Sequence, residues 1–280
     1  MIWPQVHPDS VLLLTLDSCR YDTFRRSNVP AMRAVAPLHR AWAPSHFTYG
    51  SHAAMFMGFL PSVPQAVPLL NSKLAKLFRL SHAGWSGKPS ERFRLQGPSV
   101  VEGFRRLGYR TLGSGAVGWF DPTTPTAARL IVDFEQFFYP GAPWCLDQQL
   151  AWLDTHLVTD QPVFAFLNVG ETHVPYWHQG ALWSRDDNPC IPFQSQNRRQ
   201  DCRRRQRACL EHVDQALSSL LQRFQHATTV ITADHGDCWG EDGLWEHGIS
   251  HRRTLEVPLL MRFKGQSVGV AGLTAGTRAG

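Results

Sequence analysis

Apolar positions along the chain fall into two alternating patterns. Val11-Leu12-Leu13-Leu14-Thr15-Leu16, Tyr109 to Leu112, Val163-Phe164-Ala165-Phe166-Leu167-Asn168-Val169 and Thr228 to Thr232 are short runs that read as buried strands. Between them the spacing becomes helical. Val100, Val101, Phe104 and Leu107 share a face that Gly108 ends; Leu146, Leu150, Leu153 and Leu157 form a second, and Leu210, Val213, Leu217, Leu220 and Phe224 a third. Strand, helix, strand order predicts an α/β fold: a three-layer αβα sandwich with a mainly parallel central sheet. Three stretches lack periodicity, Pro61 to Gly97, Asp121 to Pro143 and Tyr176 to Asn197, and read as loops over the active edge. One catalytic domain is expected over residues 1–263, with a Gly-, Ser- and Thr-rich flexible tail over 264–280.

Two of the strands stop at acidic residues. The first ends on Asp17, and the last leads into Ala233-Asp234-His235-Gly236-Asp237, with His247 twelve residues beyond His235. Carboxylate and imidazole side chains delivered to the carboxyl edge of a sheet suit a divalent metal. Asp17, Asp234, His235, His173 and His247 are the candidate ligands. From Ser51 the small and apolar residues suit a helix, which puts Thr48 just before its positive end, where an attacking oxyanion is favoured. Each residue also has an ordinary reading: Asp17 and Thr48 can cap helices, and His173 and His247 can be polar residues of a cleft.

Composition narrows the setting. The 280 residues carry 28 Lys and Arg against 23 acidic residues, a net charge of +5, and only four of the cations are Lys. Guanidinium groups suit planar oxyanions such as phosphate. The one dense basic cluster, Arg198 to Arg207, reads as a solvated helix start, so nucleic acid is not expected as a partner, nor is a membrane. The six cysteines form no C-x-x-C pair, and the first apolar run is six residues long without a cationic lead-in. These features imply free thiols and a soluble, cytoplasmic protein.

The motifs taken together resemble the alkaline phosphatase superfamily, in its sulfatase-like branch with the phosphoethanolamine transferases and phosphonate monoester hydrolases. Asp17-Ser18-Cys19-Arg20-Tyr21-Asp22 resembles the family's opening D-[DST]-x-R-x-D, and Thr48-x-x-Ser51-His52-Ala53 followed by Gly58 resembles its nucleophile segment. Phe166 to Tyr176 is similar to the segment bearing a substrate-facing His, and Asp234-His235-Gly236-Asp237 with His247 and Val257-Pro258-Leu259 to the closing metal segment. Sulfatases carry a Cys, matured to formylglycine, where Thr48 stands here. Their Lys and His that grip sulfate are missing at Gly115-Ala116-Val117-Gly118. The resemblance therefore implies hydrolysis or transfer of a small phosphate or phosphonate ester by a metal-bound threonine nucleophile. It implies one or two divalent ions, with Zn or Mn favoured over Mg, Fe or Ca because His235 is a nitrogen ligand. Asp17, Thr48, Asp234 and His235 would bind the first ion. His173 and His247 would hold phosphoryl oxygens, protonate the leaving group or bind a second ion. Beside the resemblance, Glu171 and Asp237 read equally as acids that orient imidazole ligands or as simple loop anchors, and Arg20 and Asp22 as a structural pair. The alternatives are a phosphomutase-like enzyme, a sulfatase-type hydrolase, and a metal-binding but inactive partner protein.

Overall fold

The computed structural model describes residues 4–58, 78–80, 93–95, 98–192, 194 and 196–266. Its strands in chain order are β1 (Val11–Leu16), β2 (His39–Trp42), β3 (Phe78–Leu80), β4 (Phe93–Leu95), β5 (Arg110–Gly115), β6 (Gln136–Phe138), β7 (Val163–Val169), β8 (Thr228–Thr232), β9 (Cys238–Trp239), β10 (Trp245–Glu246) and β11 (Glu256–Arg262). The helices are α1 (Tyr21–Arg26), α2 (Pro30–Arg33), α3 (Thr48–Met57), α4 (Val100–Arg106), α5 (Pro125–Ile131), α6 (Leu146–His156), α7 (Arg199–Arg223) and α8 (Arg252–Leu255). The main sheet runs β2-β11-β8-β1-β7-β5-β6. Its five strands from β8 to β6 are parallel, and β11 runs antiparallel to both β8 and β2.

β1 lies between β7 and β8, in register from Val11 opposite Phe164 and Thr228. All seven residues of β7 are buried, as a central parallel strand covered on both faces requires. The residues that follow β1, β7 and β8 therefore emerge side by side at one sheet edge. One face of the sheet packs Leu12, Leu14, Leu167 and Ile231 against α7, through Leu210, Val213 and Leu217. The other packs Phe164 and Phe166 against Phe56 of α3, Val101 of α4 and Phe120. Both layers are apolar stripes of amphipathic helices facing a sheet.

The structure departs from the periodicity at four places. The helix expected from Ser51 begins three residues earlier, because Phe47, in extended backbone, is the residue preceding its first turn. Helix α7 starts at Arg199, eleven residues before the apolar stripe at Leu210, since Arg and Gln propagate a helix without burying anything. Asp121 to Pro143 is not all loop: Thr124 caps α5 through its side chain, and β6 pairs with β5. Within Pro61 to Gly97, β3 and β4 pair antiparallel, and all the rest of that stretch lies outside the described residues, as do residues 267–280 of the expected tail. No helix among the described residues is long and apolar enough to cross a membrane.

A close approach fixes the loop after β8. A Cβ on Gly236 would lie 2.4 Å from the carbonyl oxygen of Arg253, a backbone atom that has no freedom to withdraw. A Cβ on Gly103 in α4 would meet nothing. Gly236→Ala is expected to cost about 1–3 kcal/mol and to lower the urea midpoint, whereas Gly103→Ala is expected to stabilise by about 0.5–1 kcal/mol.

Candidate active site

Asp17 follows β1 directly, and Asp234 follows β8 after one residue, so strand pairing alone sets the two carboxylates side by side. Ser18, next to Asp17, adopts a left-handed backbone (φ 58°), which turns its N–H back onto Asp234 Oδ1 at 3.2 Å. The His235 N–H donates to the same oxygen at 2.9 Å. Asn168, at the end of β7, donates from Nδ2 to Asp17 Oδ2 at 3.3 Å, and the Ser18 hydroxyl donates to Asp17 Oδ1 at 3.3 Å.

Helix α3 brings Thr48 onto this pair. The Ser51 hydroxyl donates to the Asp234 carbonyl at 2.6 Å and accepts from the Ser45 N–H at 3.1 Å, tying the first turn of α3 to the end of β8. His52 donates to the Thr48 carbonyl (2.8 Å) and shares a 3.0 Å bond with the Thr15 hydroxyl, with its ring edge-on to Phe120 and Phe166. Gly50 is needed here, because a Cβ would come within 2.5 Å of Ser45 Oγ. Thr48 is thus the first residue of the helix and not its cap; its hydroxyl lies 3.2 Å from His235 Nε2. His235 Nδ1 donates to the Gly236 carbonyl at 3.1 Å, so Nε2 carries the lone pair that faces Thr48 and the carboxylates.

Asp17, Asp234 and His235 are fully buried, and their ligand atoms lie within 4.8 Å of one another. Burial, and then the charge of Asp234, push the Asp17 carboxyl up; burial also pushes Asp234 up. Burial, then the charge of His247, brings His235 down to about 4, which keeps its ring neutral. Asp234 Oδ2 is buried without a hydrogen-bond donor. Two buried carboxylates, an imidazole lone pair and an unsatisfied carboxylate oxygen are what a divalent ion requires.

The β9–β10 hairpin pairs Glu246 with Cys238, which puts the next residue, His247, opposite Asp237. This register is why a His twelve residues after His235 returns to it: the two rings are 4.4 Å apart, and His247 Nδ1 donates to Asp237 Oδ1 at 2.8 Å. Burial alone would lower His247, but the hydrogen bond and charge of Asp237, with Glu246 and Asp17, raise it to about 9. His173 donates from Nδ1 to the Val174 carbonyl (2.9 Å), and its ring stands edge-on to His247 at 5.1 Å. His235, Asp237 and His247 form a second cluster able to hold an ion.

All six expected site residues, Asp17, Thr48, His173, Asp234, His235 and His247, therefore converge. Glu171 does not orient an imidazole: its carboxylate accepts the Leu146 N–H at the start of α6, and burial pushes it up to about 7. His251 caps α8 and pairs with Asp242. Arg20 and Asp22 form the expected pair through two hydrogen bonds of 2.8 and 2.9 Å. Sequence reasoning missed Tyr176, whose hydroxyl donates to Asp237 Oδ2 and accepts from Trp239 Nε1, each at 2.7 Å. It also missed Asn168, hidden as a polar residue within an apolar strand.

The Sulfatase family model matches residues 11–272, and the chain belongs to that family. No curated protein matches the sequence significantly. Among solved structures, the C-terminal periplasmic domain of EcEptC from Escherichia coli is similar at 14% identity, with 95% of this chain and 77% of that one covered and a TM-score of 0.62. That domain in complex with Zn gives 10% identity, 94% and 77% coverage, and 0.57. The corresponding domain of phosphoethanolamine transferase EptC from Campylobacter jejuni gives 11%, 92% and 80%, and 0.59. Phosphonate monoester hydrolase of Agrobacterium radiobacter gives 13%, 91% and 68%, and 0.53. At these identities the likeness establishes the alkaline phosphatase-like fold. It also overturns the cytoplasmic expectation, because the EptC relatives are periplasmic domains. Unpaired cysteines and a short first apolar run were no guide to compartment.

In the metal-free protein, His247 is expected to titrate near 9 by imidazole NMR. Because its folded value is raised, it adds stability that is complete below the ordinary 6.5 and is lost as pH rises through about 9. Asp237→Asn is expected to drop the titration towards 6.5; an unchanged value would mean that Asp237 does not set it.

Proposed function

We propose that the chain is a metal-dependent enzyme that hydrolyses or transfers phosphate or phosphonate esters, with Thr48 as nucleophile. The observation that carries this reading is the Thr48 hydroxyl at the first position of α3, 3.2 Å from His235 Nε2 and beside two buried carboxylates. Asp17, Asp234, His235 and Thr48 Oγ1 would hold a first divalent ion, with Zn or Mn favoured by the nitrogen donor. The bound ion offsets the carboxylate charges and lowers the pKa of a hydroxyl it touches.

The protein groups then divide the remaining work. Thr48 Oγ1, its proton released to water, attacks phosphorus from the positive end of α3 as the bond to the leaving-group oxygen breaks, and negative charge on the transferring group is favoured there. The leaving-group oxygen takes a proton from His247, which Asp237 keeps charged at neutral pH while leaving its Nε2 free. His173, edge-on to His247, contacts a phosphoryl oxygen through its own free Nε2. The phosphothreonine is resolved by water in a hydrolase or by an acceptor hydroxyl in a transferase, and the named relatives include one of each kind. The partner is a small-molecule ester.

Thr48→Ala is expected to lower turnover of p-nitrophenyl phosphate, its diester or a phosphonate ester by roughly 10³-fold or more, with the fold intact. Thr48→Ser is expected to retain measurable activity, and EDTA to abolish it. Near-normal rates for Thr48→Ala would make water the nucleophile. Metal binding without turnover on any of these esters would favour an inactive metal-binding protein.

A further inference from the structure

The arginines at the start of α7 make more than a solvated helix face. Gln200, Arg203, Arg204, Arg207 and Glu211 recur at helical spacing and line one wall of a 650 Å³ cleft. Helix α1, which packs against α7, supplies the facing wall with Asp22, Thr23 and Arg26, and Trp239 contributes to the lining. None of these residues belongs to the proposed metal centre.

The charges of the cleft do not cancel. Four arginines face two carboxylates, and both carboxylates are already engaged. Asp22 accepts two hydrogen bonds from Arg20 and one from Arg253 at 3.3 Å. Glu211 accepts from Arg207 at 2.9 Å and from the Asn28 N–H at 3.1 Å. Arg204 donates to Asp201 at 3.2 Å and stacks over Trp183. Arg26 and Arg203 have no hydrogen bond or ion pair of their own among the described residues. Arg203 is held below the usual guanidinium range, first by desolvation and then by the charges of Arg199 and Arg20, which Asp22 and Glu241 only partly oppose. Guanidinium groups without a hydrogen-bonded partner, two on facing walls, suit the several oxygens of a phosphoryl group.

We propose that the cleft between α1 and α7 is a second anion site, which takes the phosphoryl group of a ligand between Arg26 and Arg203, with Arg204 and Arg207 at its flank. The ligand is either a free phosphate compound or the headgroup of an anionic phospholipid. In both cases the recognised chemistry is the same.

The test uses the full chain with two probes: labelled inorganic phosphate in equilibrium dialysis, and phosphatidylglycerol vesicles in a flotation assay. Variants are Arg26→Gln/Arg203→Gln, Asp234→Asn to disable the proposed metal centre, and Arg105→Gln/Arg185→Gln, which removes equal charge from exposed positions elsewhere. The expected result is binding that survives Asp234→Asn and the remote pair but weakens roughly tenfold or more in Arg26→Gln/Arg203→Gln. If that pattern holds for inorganic phosphate, the ligand is a free phosphate compound; if it holds for vesicles alone, it is a lipid headgroup. Failure of both probes to bind overturns the proposal. So does equal loss in the remote pair, no loss in the cleft variant, or loss only in Asp234→Asn.

Discussion

The burial of Asp17 and Asp234 beside each other is the constraint around which this edge of the protein is arranged. Both carboxylates are fully buried, and no Lys or Arg forms an ion pair with either among the described residues. Each raises the cost of ionising its neighbour, and burial raises that cost further. Hydrogen bonds from Ser18, His235 and Asn168 satisfy three of the four oxygens and leave Asp234 Oδ2 without a donor. A divalent cation held here would supply the missing positive charge.

Support for the site extends well beyond its ligands. Strand order places β1 between β7 and β8, so the three loops that follow these strands meet at one edge. Ser51 and His52 then anchor α3 from below, and the hairpin register delivers His247 to Asp237. Behind Asp237, Tyr176 and Trp239 form a hydrogen-bonded line that ends with the Arg20 guanidinium over the Trp239 ring at 4.1 Å. Arg20 also donates to the Asp237 carbonyl, at 3.2 Å, and to Glu241, at 3.0 Å. The opening D-S-C-R-Y-D segment thus serves both halves of the site: Asp17 within it and Arg20 beneath it.

Strands β1, β7 and β8 were legible to the residue because buried parallel strands are short runs rich in apolar and β-branched residues. The six candidate residues could be picked out because Asp17 and Asp234 stand just past two apolar strands and the rest fall within recognisable motifs, and the fold brings them together. Less was readable where packing, not local pattern, decides. Helix α3 begins at Thr48, its first turn tied by Ser51 to the Asp234 carbonyl, a contact between distant residues that leaves no periodic trace. The first turns of α7 are polar on most sides, so the apolar stripe alone placed its start too late. Tyr176 and Asn168 sit in aromatic and apolar surroundings that disguise their polar work, and of the two readings of Glu171 only long-range contact decides for the anchor, at the N-terminus of α6.

The central claim is that Asp17, Asp234, His235 and Thr48 hold a divalent ion through oxygen and nitrogen. X-ray absorption spectroscopy of the zinc-loaded chain tests it most directly, with Asp234→Asn as comparison. The account predicts a nitrogen and oxygen shell at about 2.0–2.2 Å with an imidazole signature, weakened or lost in Asp234→Asn. A sulfur shell at about 2.3 Å would place the metal on the buried cysteines, and an undisturbed spectrum in Asp234→Asn would place it away from these carboxylates; either result would contradict the account.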